Sequence, residues 1–233
     1  MKYDNMIRAI FIERPNRFIA LCEVNQEVCK VHVKNTGRCA ELLIKGVVVY
    51  LEENNDPKRK TKYSLIAVEK GSRLINMDSQ APNEVVEEAL TSGKLQLPGL
   101  EEGLTFIKRE VTYGDSRFDF YIESDEKKGF IEVKGVTLEQ EDYVMFPDAP
   151  TIRGLKHVEE LMIARQEGYY CYILFVIQMK GVRYFKPHVE RQEAFAKALK
   201  RAEALGVNIL AYDCLVTPDK LELHQRVETR LEG

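Results

Sequence analysis

The segments Arg117-Phe-Asp-Phe-Tyr-Ile122 and Phe130-Ile-Glu-Val-Lys134 alternate polar with apolar residues. A repeat of two is typical of β-strands that bury one face against a core. The residues between them, 124–129, are polar and end in a glycine, which is typical of a turn. The stretch 117–134 therefore predicts a β-hairpin, and the surrounding sequence is interpreted outward from it.

The hairpin groups three ionisable side chains. A turn centred between Asp125 and Glu126 places Asp119 directly opposite Glu132, with β-carbons about 5 Å apart. Lys134 follows two residues later on the same face. Facing carboxylates destabilise a sheet unless a cation lies between them, and oxygen ligands suit a hard divalent metal. We expect Asp119 and Glu132 to hold Mg²⁺ or Mn²⁺, with Lys134 assisting phosphodiester hydrolysis.

Two other interpretations of the hairpin stay open. The Glu-x-Lys pattern also fits a solvated edge strand that carries a weak surface ion pair. A register slip of one residue would move the two carboxylates to opposite faces of the sheet.

Composition places the chain among ordinary globular proteins. It has 233 residues, 45% of them hydrophobic and 30% charged, with a net charge of −3. This charge argues against a wholly basic nucleic-acid coat protein, although a local basic patch would still bind nucleic acid. The start of the chain shows no signal-peptide pattern and no apolar run is long enough for a membrane span, so we expect a cytoplasmic protein. Reduced thiols are expected for the five scattered cysteines, Cys22, Cys29, Cys39, Cys171 and Cys214.

Residues 1–80 are rich in β-forming residues interrupted by Asn, Gly and Pro. The predicted strands are Arg8–Glu13, Phe18–Val24, Val28–Val33, Val47–Leu51 and Ser64–Val68. Five short strands without a long helix favour a small OB-like β-barrel, a fold that binds oligonucleotides.

Residues 81–233 have a different pattern, with helices and strands in alternation. The predicted order is helix, three strands, helix, strand, helix, strand, which indicates an α/β domain with a mixed sheet. Asn83 is expected to cap the first helix, and the almost unbroken run Tyr169–Ile177 is expected to be a buried central strand. The remaining predictions are a helix over Thr151–Glu167, a helix over His188–Leu205 and a last core strand at Val207–Tyr212.

A basic loop in the first half is a candidate nucleic-acid contact. It contains Lys58, Arg59, Lys60 and Lys62, with Tyr63 next to them. Cations would follow a phosphate backbone, and an aromatic ring would stack on a base. Arg38, in the polar turn 34–38, is a further candidate for a phosphate contact. A solvated basic loop and an ordinary glycine turn are the alternatives.

The helix after the hairpin offers a second candidate contact. Leu155, Val158 and Met162 form an apolar stripe, and the opposite side carries Arg153, Lys156, His157 and Glu160. Near the positive N-terminal end of the helix, Arg153 and Lys156 would help to bind phosphate. The alternative is a solvated helix face, and His157 is interpreted as a surface residue.

These residues carry a resemblance to a known family. The chain resembles the sugar fermentation stimulation protein A family in five stretches: Asn35–Gly37, Asn55–Lys60, Arg117–Phe120, Ile131–Thr137, and Phe146–Ala149 followed by Arg153–His157. The resemblance implies an OB-type N-terminal domain, a C-terminal domain similar to PD-(D/E)xK nucleases, and DNA binding linked to sugar-utilisation genes. It places the nuclease motif on Asp119, Glu132 and Lys134. It also implies a further acidic residue, for which Glu84, Glu87, Glu88 and Glu110 are equal candidates.

Three functions follow as hypotheses. The first is a DNA-binding, metal-dependent nuclease, and the second is a DNA-binding regulator on a nuclease-like scaffold that does not cleave. The third is a metal-binding or protein-interaction module without nucleic acid. The expected partner is DNA of undetermined strand form, with a homodimer left open and no membrane partner.

Overall fold

The computed structural model of this chain describes residues 1–35 and 37–232. Thr36, which falls in the predicted turn 34–38, and Gly233 lie outside the described residues. Within the described part the chain forms a barrel, a central mixed sheet flanked by helices, and a small third sheet.

The barrel is formed by the first six strands. They are β1 (Met6–Asn16), β2 (Ile19–Val24), β3 (Glu27–Val33), β4 (Val48–Glu53), β5 (Tyr63–Lys70) and β6 (Arg73–Asn76). Their order is β3-β2-β1-β4-β5-β6, and a parallel pairing of β3 with β5 closes the sheet. Aliphatic side chains fill its interior, among them Ala20, Val31, Val49, Leu65 and Val68. The predicted OB-like barrel is confirmed.

The central sheet has the order β15-β14-β12-β9-β8-β7. Its strands are β7 (Phe106–Tyr113), β8 (Ser116–Ser124), β9 (Lys127–Val136), β12 (Tyr170–Ile177), β14 (Asn208–Thr217) and β15 (Lys220–Arg226). Strand β12 runs parallel to both β9 and β14, whereas β7, β8 and β15 pair antiparallel. The predicted mixed sheet with a buried central strand is confirmed.

Helices cover both faces of this sheet. They are α1 (Ala81–Thr91), α2 (Ile152–Gln166) and α3 (Glu193–Ala204). Alternate residues of β12 point to opposite sides: Tyr172 and Leu174 pack in the core that contains α1, and Ile173 and Phe175 in the core that contains α2 and α3. A strand buried on both faces therefore has a continuous apolar sequence.

A small third sheet, of order β10-β11-β13-β16, packs against the central sheet, and its Phe185 ring stacks 4.0 Å from that of Phe175. It consists of β10 (Glu139–Gln140), β11 (Tyr143–Phe146), β13 (Tyr184–Pro187) and β16 (Glu228–Thr229). One hydrophobic core runs from the barrel into the central sheet, so that Val31 of the barrel and Phe175 of β12 belong to the same cluster. Across the same junction the backbone N–H of Asn76 donates to the backbone carbonyl of Gln178 at 2.9 Å.

The starts of two helices and the identity of the last core strand are predicted wrongly from the sequence. Helix α1 begins at Ala81, so Asn83 lies inside its first turn rather than at the cap; Pro82 fits there because it needs no N–H partner. Helix α3 begins at Glu193, because residues 188–192 form a turn. Strand β14 is followed by β15, which pairs with it, so Val207–Tyr212 is not the last core strand. Among the described residues, no helix is both long and apolar enough to span a membrane.

Candidate metal and nucleic-acid site

The hairpin has the register that the sequence predicts. The β8–β9 ladder pairs Ser124 with Lys127 and ends at Phe120 opposite Ile131. Beyond that pair, the backbone N–H of Val133 donates to Oδ2 of Asp119 at 2.7 Å. A side-chain carboxylate thus takes the place of the next backbone acceptor and holds Asp119 beside β9.

A local irregularity of the sheet presents Asp119 at this point. Phe118 and Phe120 are both fully buried, but they belong to the two different cores on opposite faces of the sheet. On the neighbouring strand the ladder skips Glu110, whose φ of 56° is left-handed. The register is the same on both sides of this gap, so Glu110 and Asp119 are facing residues that do not pair, and no residue is inserted.

Glu132 is almost completely buried, with 3% of its surface exposed. Its Oε1 accepts hydrogen bonds from Nζ of Lys134 and Nδ1 of His157. Its Oε2 is buried and has no hydrogen-bond partner among the described residues. Burial by itself raises the pKa of Glu132, but the Lys134 ammonium and the His157 hydrogen bond outweigh it, so the net pKa is lowered. The carboxylate is therefore held ionised with one oxygen free.

Asp119 is half-buried, and its pKa is shifted in the opposite direction, upward. Burial raises its pKa, and the negative charge of Glu132 raises it further. The Val133 N–H, Lys134 and Asn83 offset part of this rise. The amide Nδ2 of Asn83, in the first turn of α1, donates to Oδ1 of Asp119 at 2.8 Å. Neighbouring carboxylates with perturbed pKa values are typical of functional sites.

His157 is a residue that the sequence interpretation placed wrongly. It is 3% exposed rather than on the surface, and it lies on the buried stripe of α2, between Gly154 and Leu161. The Nε of Arg153 lies 3.4 Å from Nε2 of His157, so Nε2 accepts and Nδ1 carries the proton donated to Glu132. Arg153, His157 and Glu132 therefore form a chain of contacts that ends at the buried carboxylate.

Asp119, Glu132 and Lys134 line one cavity of about 270 Å³. The first turns of two helices line it as well, through Asn83 of α1 and Arg153 of α2. Helix N-termini carry partial positive charge, which favours an anion such as phosphate. A larger cavity of about 750 Å³ lies between α1 and β15, but its Glu88 and Glu222 are already paired with the amino terminus and with lysines.

None of the four further acidic candidates lines the cavity that contains Asp119 and Glu132. Glu84 and Glu87 pair with Arg109 at 2.8 and 3.0 Å, Glu88 pairs with the amino terminus, and Glu110 pairs with Arg117. Residues 1–35 and 37–232 contain no group of three or more His, Cys, Asp or Glu residues arranged to hold a metal. A metal here would have two carboxylate ligands from the protein and would take its other ligands from water or substrate.

The predicted phosphate contacts on α2 separate in the structure. Arg153 lines the cavity that contains Asp119 and Glu132. Lys156 points elsewhere: its Nζ donates to the carbonyl of Asp115 at 2.9 Å and lies 3.7 Å from Glu160. The N-cap of α2 is Thr151, whose hydroxyl accepts from the Gly154 N–H at 2.8 Å.

The basic loop lies between β4 and β5, at the edge of the barrel. Lys58, Lys60 and Lys62 are exposed, and Lys62 pairs with Glu53 at 2.6 Å. The prediction that Tyr63 is free to stack on a base is wrong, because Tyr63 is the first residue of β5 and packs in the core with 7% of its surface exposed. Arg59 lies against Ser64 of β5, with 3.4 Å between Nη2 and Oγ.

Comparison with known proteins gives a consistent result over the whole chain. A family profile described as SfsA N-terminal OB domain matches residues 12–77, and one described as Sugar fermentation stimulation protein RE domain matches residues 80–220. Relatives named sugar fermentation stimulation protein homolog, from Ruminiclostridium cellulolyticum and Clostridium beijerinckii, are 55% and 54% identical, covering 99% of this chain and 100% of each relative. A solved structure of SfsA from Pyrococcus furiosus in complex with Ca²⁺ has a TM-score of 0.87 and 28% identity, over 99% of this chain and 98% of that one.

Proposed function

Since the chain belongs to the sugar fermentation stimulation protein family, we propose that it binds DNA and hydrolyses phosphodiester bonds with a divalent cation. Asp119 and Glu132 would hold the cation, Mg²⁺ or Mn²⁺. The observation that carries this proposal is the buried, unpartnered Oε2 of Glu132 in the same cavity as Asp119. An ionised oxygen in that position needs a cation or a donor, because burying it alone is costly.

The donor set fits a hard cation. Carboxylate oxygens are the usual ligands of Mg²⁺, which binds through one or two carboxylates and keeps several waters for exchange with substrate phosphate. The similar protein from Pyrococcus furiosus was solved with Ca²⁺, another hard cation with the same ligand preference. Bound between Asp119 and Glu132, the cation would polarise a phosphoryl oxygen and lower the pKa of an attacking water.

The remaining residues of the cavity would serve the substrate. Lys134 is positioned to balance negative charge that develops on the phosphate, and Arg153 with the first turn of α2 would hold the phosphate. His157 acts through Glu132, because its Nδ1–H fixes Oε1 and leaves Oε2 for the cation. On the barrel, Arg38, Lys58, Arg59, Lys60 and Lys62 would contact the DNA backbone, and Lys156 would contact it beyond the cavity.

A DNA-binding regulator without cleavage is the second candidate. Two observations favour it: Lys134 already neutralises Glu132 while His157 donates a hydrogen bond to it, and no third acidic residue lines the cavity among the residues described. A protein of this kind would retain the fold and the basic surface while using the carboxylates for stability alone.

A cleavage assay separates the two candidates. Labelled single-stranded and duplex DNA are incubated with Mg²⁺ or Mn²⁺ and with wild type, Asp119→Ala or Lys134→Ala, and binding is measured in parallel. Our proposal predicts metal-dependent cleavage by the wild type that both substitutions abolish while binding remains. Salt-sensitive binding without cleavage of either substrate would contradict it and establish the second candidate.

A further inference from the structure

The barrel has a cationic groove on the surface formed by the β1–β2 turn and the segment after β3. This groove, of about 730 Å³, is lined by Arg14, Arg17, Arg38 and Lys45, with Glu13 as its one acidic lining residue. In a chain with a net charge of −3, four cations around one groove are a strong local concentration of positive charge. The predicted basic loop at 58–62 is not part of it.

Arg14 fixes the shape of this groove. Its guanidinium donates to the carbonyls of Arg17 and Asn35 at 2.6 Å and to those of Gly37 and Arg38 at 2.7 Å. One side chain thus ties the β1–β2 turn to the segment after β3. The side chains of Arg17 and Arg38 remain exposed on the rim, and their backbones are held in place.

An exposed aromatic ring lies beside one of these cations, at the edge of the groove. Phe18 is 52% exposed, although phenylalanine is usually buried, and the guanidinium of Arg17 lies 6.0 Å from its ring centre. Aromatic rings next to a cationic groove are how OB-type barrels bind unpaired bases, which stack on the ring while cations follow the backbone. The bases of a duplex are already stacked on each other and cannot use such a ring.

The groove adjoins the candidate metal site through a narrower cavity. Gly37 lines both the groove and a cavity of about 150 Å³, and Ser79, Gly135 and Phe146 line both this small cavity and the one that contains Asp119 and Glu132. A β-carbon at Gly37 would meet Oδ2 of Asp148, so the barrel and the segment before α2 lie close together at this residue.

We infer that a single strand of DNA binds along this groove, with a base on Phe18 and its backbone on Arg17, Arg38 and Lys45, and continues past Gly37 to the carboxylates. The inference rests on the proposed function and adds the strand form and the path of the substrate. Asp148 and Glu13 are the acidic side chains along the path outside the metal site. The strand therefore meets net positive charge at the groove before it reaches the site.

The test is fluorescence anisotropy with a labelled oligonucleotide of about 16 nucleotides, single-stranded or duplex, in EDTA so that no cleavage occurs. Phe18→Ala and Arg17→Ala are the test variants. Phe106→Ala removes a similarly exposed ring on β7, and Lys200→Ala removes an exposed cation on α3, so these two are the controls. We expect each test variant to lose about tenfold in single-strand affinity and the controls to match the wild type.

The salt dependence gives a second readout. Arg17→Ala removes a phosphate contact and should reduce the slope of log affinity against log salt by about 0.7, whereas Phe18→Ala should leave the slope unchanged. Test variants that bind single strands as the controls do, or that lose duplex affinity equally, would overturn the inference and leave the proposed function standing. A wild type that binds neither DNA form would overturn both.

Discussion

At the residue scale, three residues are brought together by strand pairing and two more by tertiary contacts. The grouping of Asp119, Glu132 and Lys134 follows from the hairpin register, which the sequence predicts because the turn is short and the alternation is regular. Asn83 and His157 reach the site from helices, and strand alternation carries no information about them.

The position of His157 could have been found from a different stripe on the same helix. Gly154, His157, Val158, Leu161 and Ala164 are the buried residues of α2, at helical spacing. The sequence interpretation took Leu155, Val158 and Met162 as the apolar stripe, and of these only Val158 is fully buried. The buried side of the helix includes His157, whose Nδ1 contacts Glu132 of β9.

Substitution of His157 tests its role at the buried carboxylate. His157→Phe keeps a ring in the core but leaves Glu132 without its Nδ1–H donor, so we expect a loss of about 2 kcal/mol in the free energy of unfolding. His157→Gln supplies an amide donor and should recover part of that loss. Urea denaturation measures both, and equal stability of His157→Phe and the wild type would show that the hydrogen bond contributes nothing.

The cysteines should be unreactive in the native protein. Burial raises the pKa of Cys22, Cys39 and Cys171 to about 12 from the usual 9.0. At pH 8 almost no thiolate forms at these positions, so we expect a thiol reagent to modify the half-buried Cys29 first. The raised pKa values also imply that these thiols leave the free energy of unfolding unchanged below pH 9 and lower it as pH rises toward 12, since in that window they ionise only in the unfolded chain. Rapid modification of all five thiols of the folded protein at pH 8 would contradict this expectation.

At the scale of elements, the sequence predicts the long segments better than their ends. Helix α1 starts before Asn83 because Pro82 is tolerated in a first turn. Helix α3 starts at Glu193, after the turn 188–192, whose mostly polar residues resemble the start of a helix in the sequence. The strands of the small sheet contain only two to four residues, which is too short for a periodic pattern to show in the sequence. Apart from β10 and β11, they pair with strands that are distant along the chain.

One glycine controls the packing of β9 against the central strand. Gly129 pairs with Tyr170 of β12, and a β-carbon at Gly129 would collide with the Tyr170 carbonyl oxygen and lie 3.1 Å from its Cβ. Since the obstacle is backbone, we expect Gly129→Ala to cost about 1–3 kcal/mol in the free energy of unfolding. The adjacent exposed Lys128→Ala is the control, and urea denaturation curves that coincide for the two variants would refute this account of β9.

At the scale of the whole molecule, barrel and central sheet share one core and a polar junction. The side chain of Asp78 is 1% exposed and accepts from Nζ of Lys34 at 2.8 Å, and Gln178 joins Asn76 to the Asp78 carbonyl with two hydrogen bonds of 2.9 Å. The two architectures follow from the sequence, because short strands fill the first part of the chain and helices alternate with strands in the second. Their junction was not, because it depends on residues more than 100 positions apart.

This junction predicts that the chain unfolds as one unit. Lys34→Met leaves the buried Asp78 without its cation, so we expect a loss of about 2 kcal/mol or more in the free energy of unfolding. Because the core is continuous, circular dichroism and tyrosine fluorescence should shift together in urea. The exposed Lys30→Met on β3 is the control. Two separate transitions would show that the two parts unfold independently. A Lys34 variant as stable as the control would show that the ion pair with Asp78 contributes nothing to stability.

The central claim is that Asp119 and Glu132 hold a divalent cation, and crystals soaked in Mn²⁺ test it most directly. Anomalous diffraction should place the ion between the two carboxylates, with one bond to Oε2 of Glu132 at a distance between about 2.0 and 2.6 Å. The same soak of Glu132→Gln crystals should show no ion there. Saturating Mn²⁺ that leaves this cavity of the wild type empty, or that binds only at other carboxylates, would contradict the claim.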